Sequence, residues 1–221
     1  MRILTLLLSV ALGFLVSSPC HGQLKYVGDN KGATMLSASY SSSPTITTME
    51  GELDFTKDGH LGLGVSYAHA HDPQIDIFGM QAEYAVLRPK DEAGVGANLE
   101  AAIAASRTTI QYPTVYLSEG AYTQPPEYLS GRSAGFGAEV YLHTPITDFR
   151  VEPFVQVART FASASTENPS PTIAVNSLAV GTDVILASPQ NNFVVLTFGL
   201  LMQQEEQDAF ALNMSFVHAI K

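Results

Sequence analysis

The chain predicts an all-β protein: a single antiparallel up-and-down barrel of about ten strands, or eight if the first two strand-like runs stay out of it. Three observations carry this. Beyond the first 22 residues, apolar side chains recur at every second position in run after run, the period of a strand with one face in an apolar medium. The runs are bounded by turn residues, and most are longer than the about 5–6 residues of ordinary strands. Only 14% of the 221 residues are charged although 46% are apolar, whereas an average soluble domain carries roughly 25% charged residues.

Residues 1–22 read as a secretory signal peptide. Met1-Arg2 gives the positive start, Ile3 to Val16 the apolar run, Ser17-Ser18-Pro19 the break, and Cys20 and Gly22 the small residues before Gln23. That run is shorter than the about 20 residues of a spanning helix. Cleavage after Gly22 leaves residues 23–221 as one barrel domain and removes Cys20, the only cysteine, so the exported chain has no disulfide. Ser17 and Pro19 stand where a lipidation signal wants an aliphatic and a small residue, which argues against acylation of Cys20. Loss of Arg2 takes the basic count from 11 to 10 against 21 acids, a net charge of -11. That balance excludes nucleic-acid binding driven by counterion release.

The runs follow in order. Residues 33–41 set Leu36, Ala38 and Tyr40 against serines, and 48–56 set Met49, Leu53 and Phe55 against Glu50, Glu52 and Asp54. Run 60–70 opposes Leu61, Leu63, Val65 and Tyr67 to Gly62, Gly64 and Ser66, and 75–87 opposes Phe78, Met80, Tyr84 and Val86 to Gly79, Gln81 and Glu83. Runs 94–106 and 132–144 place Leu99, Ile103, Phe136, Val140 and Leu142 opposite Asn98, Glu100, Gly135, Gly137 and Glu139. Run 148–162 places Phe149, Val151, Val155 and Val157 opposite Arg150, Glu152 and Gln156. Runs 172–187, 192–204 and 209–219 complete the series, with Val180, Phe198 and Phe216 on one face and Gly181, Asp183 and Gly199 on the other; Val195 blurs the ninth. Leu99 to Ala105 is the best helical candidate, yet its neighbours alternate. Links after runs two, four, six and eight are short. Those after the odd runs vary, the largest being 107–131 with Tyr112, Tyr116, Tyr122 and Tyr128.

Alternation alone does not say whether the apolar face points in or out. Four features put it outward, against lipid. The second face is built of Gly, Ala and Ser, which a narrow interior needs and a solvated surface does not. All five lysines (Lys25, Lys31, Lys57, Lys90 and Lys221) lie outside the runs or at their edges, at the short-turn end. Each Lys or Arg at a lipid midplane costs about 2–4 kcal/mol. The runs match the about 9–11 residues of a tilted spanning strand. Aromatics cluster near both ends of the apolar face: Tyr40, Tyr67, Phe78, Phe136, Phe161 and Phe210 at one, Phe55, Phe149 and Phe216 at the other.

In hydrocarbon every backbone N–H and C=O must be paired, so such strands must close on themselves. With these residues in place the chain resembles the small bacterial outer-membrane β-barrel proteins, a porin-like class, over nearly all of residues 23–221. The resemblance implies an outer-membrane location in a Gram-negative cell envelope. Outer-membrane lipid and the barrel-assembly machinery are the implied partners. Phe216 would be the aromatic of the last strand read at assembly, although Lys221 rather than an aromatic closes the chain.

On this reading the lumen is lined by Glu50, Glu52, Asp54, Glu83, Glu100, Glu139, Glu152 and Asp183, faced by Arg150 and His143. Eight acids against so few bases predict a wet, cation-favouring interior, either a narrow pore or a filled scaffold. The tyrosines Tyr112, Tyr116, Tyr122 and Tyr128 make the long link the candidate recognition surface for an extracellular ligand. His69, His71, Asp72 and Asp76 gather around the link after run three, but two histidines and an acid fall short of a zinc site. No catalytic residue, metal or cofactor is therefore assigned. Two alternatives stand beside this reading. One is a soluble exported barrel whose Leu63, Val140, Val155 and Phe198 line a ligand cavity. The other is an outer-membrane hydrolase acting at the rim.

Overall fold

The computed structural model describes residues 34–42, 47–57, 60–71, 74–89, 93–110, 115–117, 120–122, 127–144, 149–165, 172–188, 192–203 and 209–220. Twelve strands run in chain order: β1 Thr34–Ser42, β2 Thr47–Lys57, β3 Leu61–Ala70, β4 Gln74–Leu87, β5 Gly94–Ile110, β6 Val115–Leu117, β7 Gly120–Tyr122, β8 Glu127–His143, β9 Phe149–Ser165, β10 Ile173–Ser188, β11 Asn192–Gln203 and β12 Ala209–Ile220. The signal segment, Tyr112 and Asp72 lie outside the described residues.

Ten of the strands form one closed barrel in which each pairs with its sequence neighbours, β8 following β5. The ring is shut by β1 against β12, from Thr34 opposite Ile220 to Ser42 opposite Leu212. The first two runs are therefore full members, and the eight-strand alternative is not adopted. Closure removes both edges, so neither flank of the sheet offers an unpaired row of N–H and C=O groups. β6 and β7 pair only with each other, a small hairpin within the link between β5 and β8.

The alternation fixes the faces. β3 reads exposed–buried almost without a break, with Gly62, Gly64 and Ala68 inside and Leu63, Val65 and Tyr67 outside. Among the described residues, thirty-one large apolar side chains are exposed and twelve apolar residues are buried. Glu52, Asp54, Glu139, Glu152 and Asp183 are among the buried. This is the reverse of a water-soluble core, where charged residues are almost never fully buried unless paired. The segment Leu99 to Ala105 is strand, not helix, because Leu99 and Ile103 sit outside while Glu100, Ala102 and Ala104 sit inward.

A bulge between Ala85 and Leu87 shifts the β4–β5 register. There Ala85 donates its N–H to the His60 carbonyl at 2.8 Å, and the His60 ring lies 3.1 Å from the Ala85 carbonyl. The turn before β3 is thereby tied to β4 at the end carrying the short links. The opposite end carries the link holding the hairpin, and is called the loop end below.

The interior is filled by a few large side chains laid over small ones. Tyr141 stands opposite Gly96 and Phe154 opposite Gly181. A methyl on Gly181 would come within 2.7 Å of the Phe154 ring and 2.5 Å of the Phe198 carbonyl oxygen. The missing side chain is what lets the ring lie flat against the wall. Near the loop end, Ala68, Ala70, Ile75 and Ile77 form an apolar cluster inside the barrel, backed by Ala104.

Candidate functional site

Two places concentrate polar chemistry: the lumen, and the outer rim at the loop end. In the lumen, inward positions of β2 carry Glu50, Glu52 and Asp54, all buried. Gln81 of β4 reaches both neighbours, donating its Nε2–H to Glu52 Oε1 and, at 3.4 Å, to Asp54 Oδ1. Gly64 between them has no side chain to block that span. Glu83 and Glu100 stand directly opposite each other on β4 and β5. Glu100 accepts a 2.7 Å hydrogen bond from Gln156 Nε2, a side chain that crosses β8 from β9.

A second row runs around the wall nearer the short-turn end. His143 Nδ1 lies 2.6 Å from Glu152 Oε1. Glu152 stands opposite Asp183, Asp183 opposite Thr197, and Thr197 donates its hydroxyl to Asp183 Oδ1 at 2.7 Å. Both carboxylates are essentially shut off from solvent. Glu139 of β8, also buried, stands opposite Asn98 of β5, and the Asn98 amide has no hydrogen-bond partner on either atom. Arg150, half-buried, shares the inward face of β9 with Glu152. Among the described residues it is the one Lys or Arg on an inward strand position. Directly opposed carboxylates repel each other across a sheet, and a proton or a cation between them relieves that repulsion.

The structure thus puts the eight predicted acids on one face, Glu100 half-buried and the rest buried. Sequence reading passed over Tyr141, Phe154, Ile75, Ile77 and Ile185, all buried beside them. The signal was present: each keeps the parity of an inward acid or glycine on its own strand.

At the rim the β3–β4 register places His69 opposite Asp76, one row beyond the Tyr67–Phe78 pair. The centres of those two aromatic rings lie 4.9 Å apart, with the planes tilted by 44°. The Asp76 carboxylate takes the Tyr67 hydroxyl at 2.7 Å and lies 2.9 Å from His69 Nδ1. A histidine oriented by a carboxylate is the geometry of a general base. Here both groups lie on the outer face of the barrel rather than in its mouth. His71 is exposed in the turn, and among the described residues no three His, Cys, Asp or Glu side chains converge on one point.

The link predicted over 107–131 is narrower than its composition suggests. β5 runs on to Ile110 and β8 begins at Glu127. Tyr128 is therefore a strand residue, exposed on the outer face, with the Arg107 guanidinium carbon 4.1 Å from its ring centre. Tyr116 and Tyr122 belong to the β6–β7 hairpin.

No protein-family model and no curated protein matches the sequence. Solved structures do match. The translocator domain of the autotransporter NalP from Neisseria meningitidis aligns with a TM-score of 0.54 at 7% identity, covering 99% of each chain. The β domain of the Bordetella autotransporter BrkA aligns at 0.47 and 11% identity, over 86% of this chain and 100% of that one. The N-terminal β-barrel domain of Pseudomonas aeruginosa OprF gives 0.35 at 13%, over 85% and 98%. The likeness is one of fold: an antiparallel up-and-down barrel of the bacterial outer-membrane type.

Proposed function

We propose that this chain is an outer-membrane anchor: an exported barrel whose outer face meets lipid, whose lumen is filled, and which presents the β6–β7 hairpin outside the cell. The inside-out distribution of side chains supports the membrane part. Phe78, 62% exposed, and Phe136, 57% exposed, would not stand free in water on a sheet whose interior buries glutamates. The dimensions agree. On β9 the outward Phe149 and Phe161 are twelve residues apart (161 less 149). That is about 40 Å along a strand at about 3.3 Å per residue, or about 30 Å along the axis at a tilt of about 40°. A bilayer's hydrocarbon core is about 30 Å thick.

The scaffold reading over a pore rests on one observation: lumen groups along the wall from β4 to β10 are closed to water. Glu139, Glu152, Ile75 and Ile185 have 0% exposure, and the Tyr141 and Phe154 rings fold against the wall between them. The acid lining favours a second reading, a passage for cations that opens when those rings move. Planar-bilayer recording separates the two. The anchor gives no sustained current, and the double variant Tyr141→Ala/Phe154→Ala introduces a leak that prefers cations. Steady cation-selective steps from the unmodified protein would replace the scaffold by the pore.

A further inference from the structure

Fixed charge is nearly absent from the outer face. Over the described outward strand positions of the barrel it is confined to Lys57, the last residue of β2 at the short-turn end, opposite Leu61, and to Asp76, Arg107, Arg132 and Arg159. The last four lie in the loop-end half, and the three arginines occupy the adjacent strands β5, β8 and β9. Arg107 pairs with Ser130, one row beyond the Arg132–Ala105 pair, and Arg159 lies deeper, opposite Phe136. All three are exposed.

The deepest arginine points back toward the interface. The Arg159 guanidinium carbon sits 5.3 Å from the centre of the Phe161 ring, two residues nearer the loop end on the same strand. Phe161 in turn lies 6.4 Å from Phe136. An arginine stem along apolar surface with its head lifted to an aromatic belt is the snorkelling arrangement. Toward the short-turn end the same face continues as Ile103, Val140 and Val157, all exposed. Asp76 stands opposite Arg107 and offsets one charge of the three, and the outward described positions of β5, β8, β9 and β10 carry no acid.

We propose that Arg132 and Arg159 take the phosphate of a lipid headgroup, with Arg107, held over Tyr128 farther toward the loop end, adding positive charge to the same patch, and with the acyl chains running down over Ile103, Val140 and Val157. The site rests on the membrane reading above. A guanidinium is matched to phosphate by its fork of donors. Arginines on a lipid face cost little at the interface and much at the midplane, which matches their crowding at one end. A soluble phosphate would use the arginines but would have no use for the apolar strip beneath them.

The test reconstitutes the signal-free barrel into phosphatidylcholine vesicles holding a minor share of phosphatidic acid. Flotation first establishes insertion. The lipid retained after detergent extraction is then compared with the bulk. At about fivefold per arginine, equivalent to about 1 kcal/mol each near a charged headgroup, the wild type enriches phosphatidic acid by an order of magnitude or more. Arg107→Gln/Arg132→Gln/Arg159→Gln brings the ratio back to bulk, and Arg88→Gln at the other end leaves it unchanged. If the triple variant does not fold, Arg132→Gln alone lowers enrichment about fivefold. Equal enrichment in the variant and the wild type overturns the site. Displacement of the lipid by free inorganic phosphate at matched concentration overturns the lipid as its occupant. Failure of the wild type to float with vesicles overturns the membrane reading itself, a separate outcome read before any lipid is measured.

Discussion

Val155→Arg is the substitution on which lipid and water give opposite answers. Val155 is outward on β9, 46% exposed, six residues from Phe149 and six from Phe161. It pairs with Val140 and Val180, both also exposed, so the new side chain would find no acid beside it. In water an exposed Val→Arg changes stability by no more than about 0.5 kcal/mol either way. At a bilayer midplane it costs about 2–4 kcal/mol, roughly 30- to 900-fold in the folding equilibrium. Ser130→Arg, at the loop end of β8 beside Arg132, is the depth control and costs about 0–1 kcal/mol. The assay is urea-dependent folding into phosphatidylcholine vesicles, followed by the migration difference between boiled and unboiled protein on a gel. A cost for Val155→Arg within about 0.5 kcal/mol, or one equal to that of Ser130→Arg, would refute the reasoning.

Further expectations follow from single contacts. Gly181→Ala drives a methyl into the Phe154 ring and the Phe198 carbonyl and lowers stability by about 1–3 kcal/mol in the same urea assay. Adding Phe154→Ala recovers only part of it, because the carbonyl stays. Full recovery, or no loss, would contradict the packing described. Asp76→Asn bears on the rim. The carboxylate holds the Tyr67 hydroxyl and the His69 ring at once, and an amide oxygen accepts less strongly than a carboxylate, so the variant loses about 0.5–1 kcal/mol in the urea assay. A variant as stable as the wild type would count against those bonds. The bilayer recording predicted above adds silence from the wild type and leak from the double lumen variant.

Strand positions were legible because a lipid-facing ribbon repeats a strong signal: the tenfold alternation placed every barrel strand within a few residues. The lumen acids were legible for the same reason, since Glu50, Glu52 and Asp54 interleave with Met49, Leu53 and Phe55. What escaped was apolar on the inward face. Tyr141 and Phe154 look like lipid-facing residues in composition and differ only in parity. Ile75 and Ile77 escaped likewise, since an interior this narrow can be closed with oil as well as with small side chains. Alanine on both faces hid the alternation of Leu99 to Ala105 behind a helical composition. The Tyr67–Asp76–His69 cluster depends on the β3–β4 register, which no single strand encodes. The ends of β5 and β8 were hidden because they carry Arg107, Thr108, Ser130 and Tyr128, a polar composition that suits headgroups and reads as loop.

Cys20 is the only cysteine and falls within the predicted signal, so nitroxides attached one at a time to new cysteines along β9 meet no background. Oxygen dissolved in the bilayer should relax the labels at Val151, Val155 and Val157 strongly and spare those at Glu152, Phe154 and Gln156. Labels at the three valines that are shielded from oxygen, in a protein that stays in the aqueous phase, would mean that a dry core and not acyl chains covers this face.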